Sequence, residues 1–207
     1  MAIGTIITAD IVNSTHLPKA AFSKLIKTIA SLIKPYKSEF YRGDSLQVYL
    51  KENDQALLLL LKIRMATKRI ETESGMESDV RAGIGIGTIK SPVRVLKTAT
   101  DDAFILSGRS LDKIPQNGRL AIQTTDDKAN CTFRVIARFV DYILKDITTK
   151  QAAVIFELLM GSNQTDTAKK LKKSQVTVNR QVHAAGWQEI NSLLIDYRIA
   201  IQEFKLK

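Results

Sequence analysis

Two aspartates stand where a hard cation could be held. Asp10 follows a short run rich in Ile and Thr, Ile3 to Thr8, which reads as a buried strand. It stands at the end of that strand, ahead of a polar turn, Asn13-Ser14-Thr15, that opens a helix. Asp44 belongs to Arg42-Gly43-Asp44, between two strand-like runs, Lys37 to Tyr41 and Ser45 to Leu50, and so lies at a hairpin tip. Either carboxylate alone is a turn cap. Together, on adjacent strand ends, they are what Mg²⁺ prefers: one or two carboxylates with phosphate oxygens completing the shell.

The elements that must position this pair are read along the chain. Pro18 opens a helix whose apolar positions are Phe22, Leu25, Ile26, Ile29 and Ile33, and Pro35 stops it. After the hairpin, Asn53 or Asp54 caps a second helix with Leu57, Leu60, Leu61, the stem of Arg64 and Ala66 on its apolar face; Ala56 to Leu61 is apolar all round. Val80, Ala82, Ile84 and Ile86 then alternate with Arg81, Gly83, Gly85 and Gly87, a strand with bare glycines on one face. No helix follows them at once, which excludes a dinucleotide fingerprint. Close approach by a ligand and a helix packed tightly on the sheet both account for them. A loop through Pro92, a helix around Asp101 to Ile114 and a strand from Leu120 to Thr124 complete the order β-α-β-β-α-β-α-β. The first six elements are those of the ferredoxin-like split βαβ arrangement, so the fold class is α+β.

Phe133, Ile136, Ala137, Val140, Ile143 and Leu144 mark a helix that bridges to a second, all-α part, with the boundary near Asp146 to Thr148. This divides the chain into 1–146 and 147–207. In the second part Thr148 and Gln151 fit a capping box, and turns at Gly161-Ser162-Asn163 and Lys172-Lys173-Ser174 separate three short helices. The last two read as a helix-turn-helix. Ala168, Leu171, Val178 and Val182 face inward, while Gln175, Asn179 and His183 share the outer face, flanked by Val176, Thr177 and Arg180. Gln and Asn match adenine edges and Arg matches guanine. Lys169, Lys170, Lys172 and Lys173, with Ser174 as the cap, are placed to meet phosphates of double-stranded DNA. An ordinary three-helix bundle with a solvated basic face is the alternative. From Trp187, Ile190, Leu194, Tyr197, Ile201 and Phe204 form a short heptad seam, read as pairing with its copy in a homodimer or packing back on its own chain.

Composition sets the outer bounds. The 207 residues are 44% hydrophobic and 25% charged, the balance of a globular chain with one or two domains. A net charge of +10 favours polyanionic partners, nucleic acid first. One cysteine, Cys131, makes no internal disulfide and points to a reducing compartment. With no signal-like start and no apolar run of bilayer length, the expected setting is the cytoplasm, without a membrane partner.

Three of these stretches, Asp10-Ile11-Val12-Asn13-Ser14-Thr15, Gly43-Asp44 and Arg81-Ala82-Gly83-Ile84-Gly85-Ile86-Gly87, resemble the catalytic core of class III nucleotidyl cyclases over roughly residues 1 to 125. Over nearly the whole length the chain is similar to the SatD-like bacterial proteins, through the same opening, Gly43-Asp44-Ser45-Leu46-Gln47, and a helix-turn-helix ending in Ala185-Gly186-Trp187. The cyclase resemblance implies Asp10 and Asp44 as carboxylates for Mg²⁺ or Mn²⁺, with the Ile11 carbonyl as a further ligand. It implies phosphate contacts from the backbone around Val12, Asn13, Ser14 and Thr15, and a transition-state role for Arg109. The chain also departs from the pattern. Ile105 replaces the ribose-orienting Asn, Phe40 stands where a purine-selecting Lys or Glu is found, and Thr98 where its Asp or Cys partner is found. The combined reading is a DNA-binding regulator whose degenerate cyclase-like part senses a nucleotide or other phosphate ligand. An active cyclase or nucleotide phosphohydrolase and a non-catalytic interaction module are the rivals.

Overall fold

Burial on both faces, continuous from Gly4 to Ile7, carries β1 (Ala2–Val12) through the middle of a five-stranded sheet. The computed structural model describes residues 2–71, 78–90, 93, 95–96 and 99–206; the expectations placed on Pro92 and Thr98 fall outside them. After β1 come α1 (Lys19–Ile33), β2 (Lys37–Tyr41), β3 (Ser45–Leu50), α2 (Ala56–Lys68), β4 (Asp79–Ile89), α3 (Asp102–Asp112) and β5 (Leu120–Thr124). The strand order is β2-β3-β1-β4-β5. Neighbours among the first four strands are antiparallel, in the ferredoxin-like order, and β5 adds to β4 in parallel, making the sheet mixed.

The two sheet faces are covered differently. Ile7, Ala9, Ile11, Leu46, Val48, Leu50, Val80, Ala82, Ile84 and Ile86 point to the face carrying the main core, with α1 and α2 packed there. Helix α2, apolar all round in sequence, is buried along nearly its whole length, Arg64 included. On the other face α3 lies against β4. The row of glycines is where it approaches: a Cβ on Gly83 would stand 2.2 Å from the Ser107 carbonyl oxygen, and one on Gly85 2.3 Å from that of Ala103. The glycines therefore admit a helix backbone, which decides between the two accounts of them.

Helix α4 (Asp127–Leu144) packs on β5, and beyond it come α5 (Thr149–Leu159), α6 (Gln164–Leu171), α7 (Gln175–Ala184) and α8 (Trp187–Glu203). The Thr148–Gln151 capping box forms at the start of α5. Lys172 takes the left-handed conformation (φ 52°) that ends α6, and the Lys173 amide donates to the Ala168 carbonyl oxygen (2.9 Å), turning the chain directly into α7. Val154, Ala168, Val178 and Val182 form a small core among α5, α6 and α7.

Three sequence expectations are corrected. Strand β1 does not end before Asp10: that residue pairs with Ser45 on one side and Arg81 on the other, so the ladder runs on to Val12. The turn after it, expected to open a helix, closes instead as a 3₁₀ turn, Ser14–His16, with Asn13 left-handed (φ 59°), while α1 starts after Pro18 as expected of that residue. Asn53 does not cap α2; it is buried, accepting from Thr5 Oγ1 (2.8 Å) and donating to the Leu206 carbonyl oxygen (2.8 Å).

The heptad seam of α8 packs back on its own chain. Ile190, Leu194, Tyr197 and Ile201 are buried, the Tyr197 ring lies 5.6 Å from that of Phe133, and its hydroxyl donates to the Asn53 carbonyl oxygen (3.0 Å).

Candidate functional site

At the open end of the β1–β3 pair the local chemistry is oxygen-rich. The Ile11 amide donates to the Asp44 carbonyl oxygen at 3.0 Å, so the hairpin tip folds onto β1 just beyond Asp10. On a strand the carbonyl of a residue lies on the same side as its amide, so the Ile11 carbonyl is directed at this tip too. Arg42 (φ 49°) and Gly43 (φ 86°) take the left-handed conformations that tighten the turn and bring Asp44 back beside the strand. Ser14 Oγ donates to Asp44 Oδ2 at 2.7 Å, fixing one carboxylate oxygen. Asp10, whose backbone pairs with Ser45, thus lies with Ile11, Ser14 and Asp44 on three adjoining segments. Two carboxylates and a main-chain carbonyl are oxygen donors of the kind a hard divalent cation takes. Among the described residues no group of three or more His, Cys, Asp or Glu side chains is gathered, so solvent or phosphate oxygens would complete such a shell.

The other residues expected at this site are placed as follows. Val12 is the last residue of β1, and Asn13, Ser14 and Thr15 make the turn. Arg109 is exposed on α3, one helical turn beyond the exposed Ile105. Among the described residues no contact joins Arg109 to either aspartate.

Beside the aspartates, on the face shared with α3, runs a row of polar side chains that sequence reasoning missed. Tyr41 donates to Glu39 Oε2 (3.0 Å), with Gln47 Oε1 at 3.1 Å as an alternative acceptor. Gln47 Nε2 donates to Thr8 Oγ1 (3.1 Å), and Thr8 Oγ1 stands 2.9 Å from Ser107 Oγ. Because the Ser107 proton goes to the Phe104 carbonyl oxygen (3.0 Å), Thr8 must be the donor between the two hydroxyls. Burial, then the bond to Glu39 and its charge, push the Tyr41 phenol up to about 12. Tyr41 and Gln47 line a shallow pocket of 330 Å³ with Phe104 and Ile105. The signal for this row was the recurrence of polar residues at the outward positions of three strands, Thr8, Glu39, Tyr41 and Gln47. It becomes legible only once the register is known.

A second missed cluster joins the sheet to the helices. Arg64 is buried and donates to Asp79 through Nε (3.0 Å) and Nη2 (2.8 Å), and to Asp141 Oδ1 through Nη1 (2.7 Å). Burial alone would lower the guanidinium, but the charges and hydrogen bonds of the two carboxylates outweigh it and hold it above its ordinary value. Asp141 Oδ2 also accepts from the amides of Arg119 (2.7 Å) and Leu120 (3.0 Å), fixing the start of β5.

On the far side of the molecule, α7 presents Gln175, Val176, Thr177, Asn179, Arg180 and His183 to solvent, while Val178 and Val182 are buried. Ser174 caps the helix by accepting from the Thr177 amide (3.1 Å). Gln175 Nε2 donates to Thr165 Oγ1 (3.0 Å) and Asn179 Nδ2 to Gln164 Oε1 (3.3 Å), bonds that set both side chains against the start of α6. Lys169 and Lys172 are exposed and Lys173 is half-buried; Lys170 is engaged by Glu157 (3.0 Å) and Ser162 (2.8 Å). No helix among the described residues is long and apolar enough to cross a membrane.

No protein-family profile matches the chain. No curated protein matches it either. Among solved structures it is similar to the active GGEEF domain of a diguanylate cyclase from Vibrio cholerae, at 19% identity and a TM-score of 0.44, covering 58% of this chain and 83% of that one. It is similar also to the dimeric guanylyl cyclase domain of the RhoGC fusion protein of the fungus Blastocladiella emersonii (17% identity, TM-score 0.44, 55% of this chain and 75% of that one). A third is the guanylyl cyclase Cya2 (18% identity, TM-score 0.40, 58% and 74%).

Proposed function

We propose that the chain is a DNA-binding transcriptional regulator, SatD-like in plan, with a cyclase-like region (residues 1–146) that binds a nucleotide or other phosphate ligand. Residues 147–207 are its helix-turn-helix output. The observation that carries this reading is the outward face of α7. A capped helix keeps two valines in a small core and turns Gln175, Thr177, Asn179, Arg180 and His183 to solvent. These are side chains suited to base edges in a major groove, and Lys169, Lys172 and Lys173 at the preceding turn suit the flanking phosphates. A net charge of +10 supplies the long-range attraction.

The test is selection of duplexes from a random pool by the full chain, followed by binding of the selected duplex at two salt concentrations. Affinity should fall steeply with salt, and Arg180→Ala should cost about 1–3 kcal/mol on the selected duplex. Half-sites in two-fold repeat would report a homodimer on DNA. A pool that yields no enriched sequence, or a selected duplex indifferent to Arg180→Ala, refutes the reading.

The assembly of Asp10, Asp44 and the Ile11 carbonyl supports a second one, a metal-dependent nucleotidyl cyclase or nucleotide phosphohydrolase. A bound Mg²⁺ or Mn²⁺ would neutralise phosphate charge and acidify an attacking hydroxyl. Asp10 and Asp44 would hold it, and Ser14 would keep the Asp44 carboxylate oriented. Ile105 and Phe40, in place of ribose- and purine-recognising groups, favour binding over turnover. Mn²⁺-dependent loss of a nucleoside triphosphate that disappears in Asp44→Asn would establish the second reading over the first.

A further inference from the structure

A cavity of 500 Å³ lies along the free edge of β5 between α3 and α4, away from the Asp10–Asp44 pair and from α7. Its back wall is main chain. The Ala82 amide bonds the Arg119 carbonyl oxygen, which sets that carbonyl and the backbone groups of Ala121 and Gln123 toward β4 and turns those of Leu120, Ile122 and Thr124 outward. The two ends of this edge are closed by side chains of α4. At one end Asp141 accepts from the Leu120 amide; at the other Asn130 bonds both the amide (2.7 Å) and the carbonyl oxygen (3.0 Å) of Thr124. Between them the Leu120 carbonyl and the Ile122 amide and carbonyl face the cavity, with no partner among the described residues.

The same row of α4 supplies charge over that gap. Asn130, Arg134, Ala137, Arg138 and Asp141 follow one helix face along the edge, so the positions between the two closing side chains are held by Arg134 and Arg138. Both are exposed. Neither has an acidic partner among the described residues, although Arg134 Nη2 lies 3.1 Å from Cys131 Sγ. Lys113 adds a third cation from the α3 side. The one carboxylate of the lining, Asp141, is committed to Arg64 and to the start of β5.

A through-running peptide strand fits poorly, because both ends of the edge are already bonded and only three main-chain groups remain. A small anion with a planar hydrogen-bonding edge fits well, in a cavity within the range of about 300–1,000 Å³ usual for such ligands. A carbonyl at one residue and an amide two residues on present an acceptor beside a donor. A purine offers the complement: adenine an amino donor beside a ring-nitrogen acceptor, guanine its N1–H donor beside its carbonyl acceptor. We propose that this groove binds a purine nucleotide, with the base on the Leu120–Ile122 edge of β5 and the phosphate on Arg134 and Arg138. None of its contacts belongs to the Asp10–Asp44 site, so the proposal stands whether or not that site takes a ligand.

The experiment is isothermal titration of the full chain with AMP, GMP and inorganic pyrophosphate in the presence of EDTA, which silences any cation-dependent site. AMP and GMP should bind, with pyrophosphate weaker by roughly tenfold or more. The double variant Arg134→Ala/Arg138→Ala, altered only at exposed positions, should lose at least about tenfold in AMP affinity. Asp44→Asn should leave it unchanged. No binding of AMP at millimolar concentration overturns the proposal. Pyrophosphate binding as tightly as the two nucleotides, or AMP binding indifferent to the two arginines or lost in Asp44→Asn, does so equally.

Discussion

Replacing single glycines of β4 by alanine measures how closely α3 is seated, and the structure sets the order of the effects. A Cβ at Gly83 would come within 2.2 Å of the Ser107 carbonyl oxygen and 2.7 Å of the Leu111 amide nitrogen, where ordinary contact begins at 3.4 Å. The helix would have to retreat by about an ångström, since the opposing atoms are main chain and cannot rotate aside. At Gly85 the contacts are equally severe (2.3 and 2.4 Å), whereas at Gly87 they are 3.0 and 3.1 Å, within reach of small adjustments. Gly108, on α3 itself, would meet nothing within 4 Å, and alanine there gains helix propensity of up to about 1 kcal/mol. Overpacking of this kind costs about 1–3 kcal/mol or more. At roughly 2–4 °C per kcal/mol for a chain of this size, Gly83→Ala and Gly85→Ala should each lower Tm by about 2–12 °C. Gly87→Ala should stay within a few degrees of the parent, and Gly108→Ala should equal or exceed it. The assay is thermal unfolding followed by far-UV circular dichroism. Were Gly83→Ala to melt with the parent, the seating of α3 on bare strand would be refuted, and with it the position of Ser107 against Thr8.

Other perturbations test the remaining joints. Arg64→Met removes the guanidinium shared by the buried Asp79 and the half-buried Asp141, leaving Asp79 only Lys68 Nζ at 4.0 Å, and should cost about 3–5 kcal/mol in chemical denaturation; a loss under 1 kcal/mol would contradict the burial of that cluster. Asn53→Leu strands the Thr5 hydroxyl and the Leu206 carbonyl. It should cost about 1–3 kcal/mol and raise hydrogen exchange in the last turns of α8 before that of the sheet. Tyr41 carries the pH prediction. Its phenol is pushed from 10.0 to about 12, so the fold favours the neutral form. That contribution is fully present below pH 10 and is lost as the pH rises through about 12. Tyr41→Phe should flatten the alkaline limb of stability over that window, and an unchanged limb would count against the Glu39–Tyr41 bond.

Much of the fold was legible because periodicity and turn chemistry agreed. The hairpin strands, β5, the Thr148 capping box and the turns around Gly161 and Lys172 lie where alternation, Gly and Asn placed them. What failed did so where tertiary contact overrode a local rule. Asp10 looked like a strand end because a charge follows an apolar run, yet neighbours on both sides, Ser45 and Arg81, keep the ladder going. Asn53 looked like a cap because Asn before a helix usually is one, but its amide ties β1 to the far end of the chain. The seam of α8 left dimer and self-packing equally open, and only the position of Phe133 and Asn53 decides it. The aspartate pair was visible from spacing, whereas the Glu39–Tyr41–Gln47–Thr8–Ser107 row requires the pairing of three strands and was hidden.

Helix α4 shows why residues far apart in sequence act on the same groups here. In sequence it is an amphipathic bridge, and its apolar stripe does lie against β5 and α8. Its polar positions carry more. Asn130 and Asp141 close the two ends of the β5 edge, and Asp141 also takes Arg64, which holds Asp79 at the start of β4. Phe133 meets Tyr197 and Phe204 of the C-terminal segment, and Tyr197 bonds Asn53, whose side chain takes Thr5 of β1. Each step is a buried contact or charge-assisted bond with little freedom to adjust. A small displacement of α4, such as filling the groove beneath Arg134 and Arg138 would produce, is therefore shared between the sheet and the helices that follow it. Coupling needs two arrangements of such an element with different ligand affinities. If α4 is that element, AMP affinity must differ between the free chain and the chain on its selected duplex, and equal affinities would restrict α4 to a structural role.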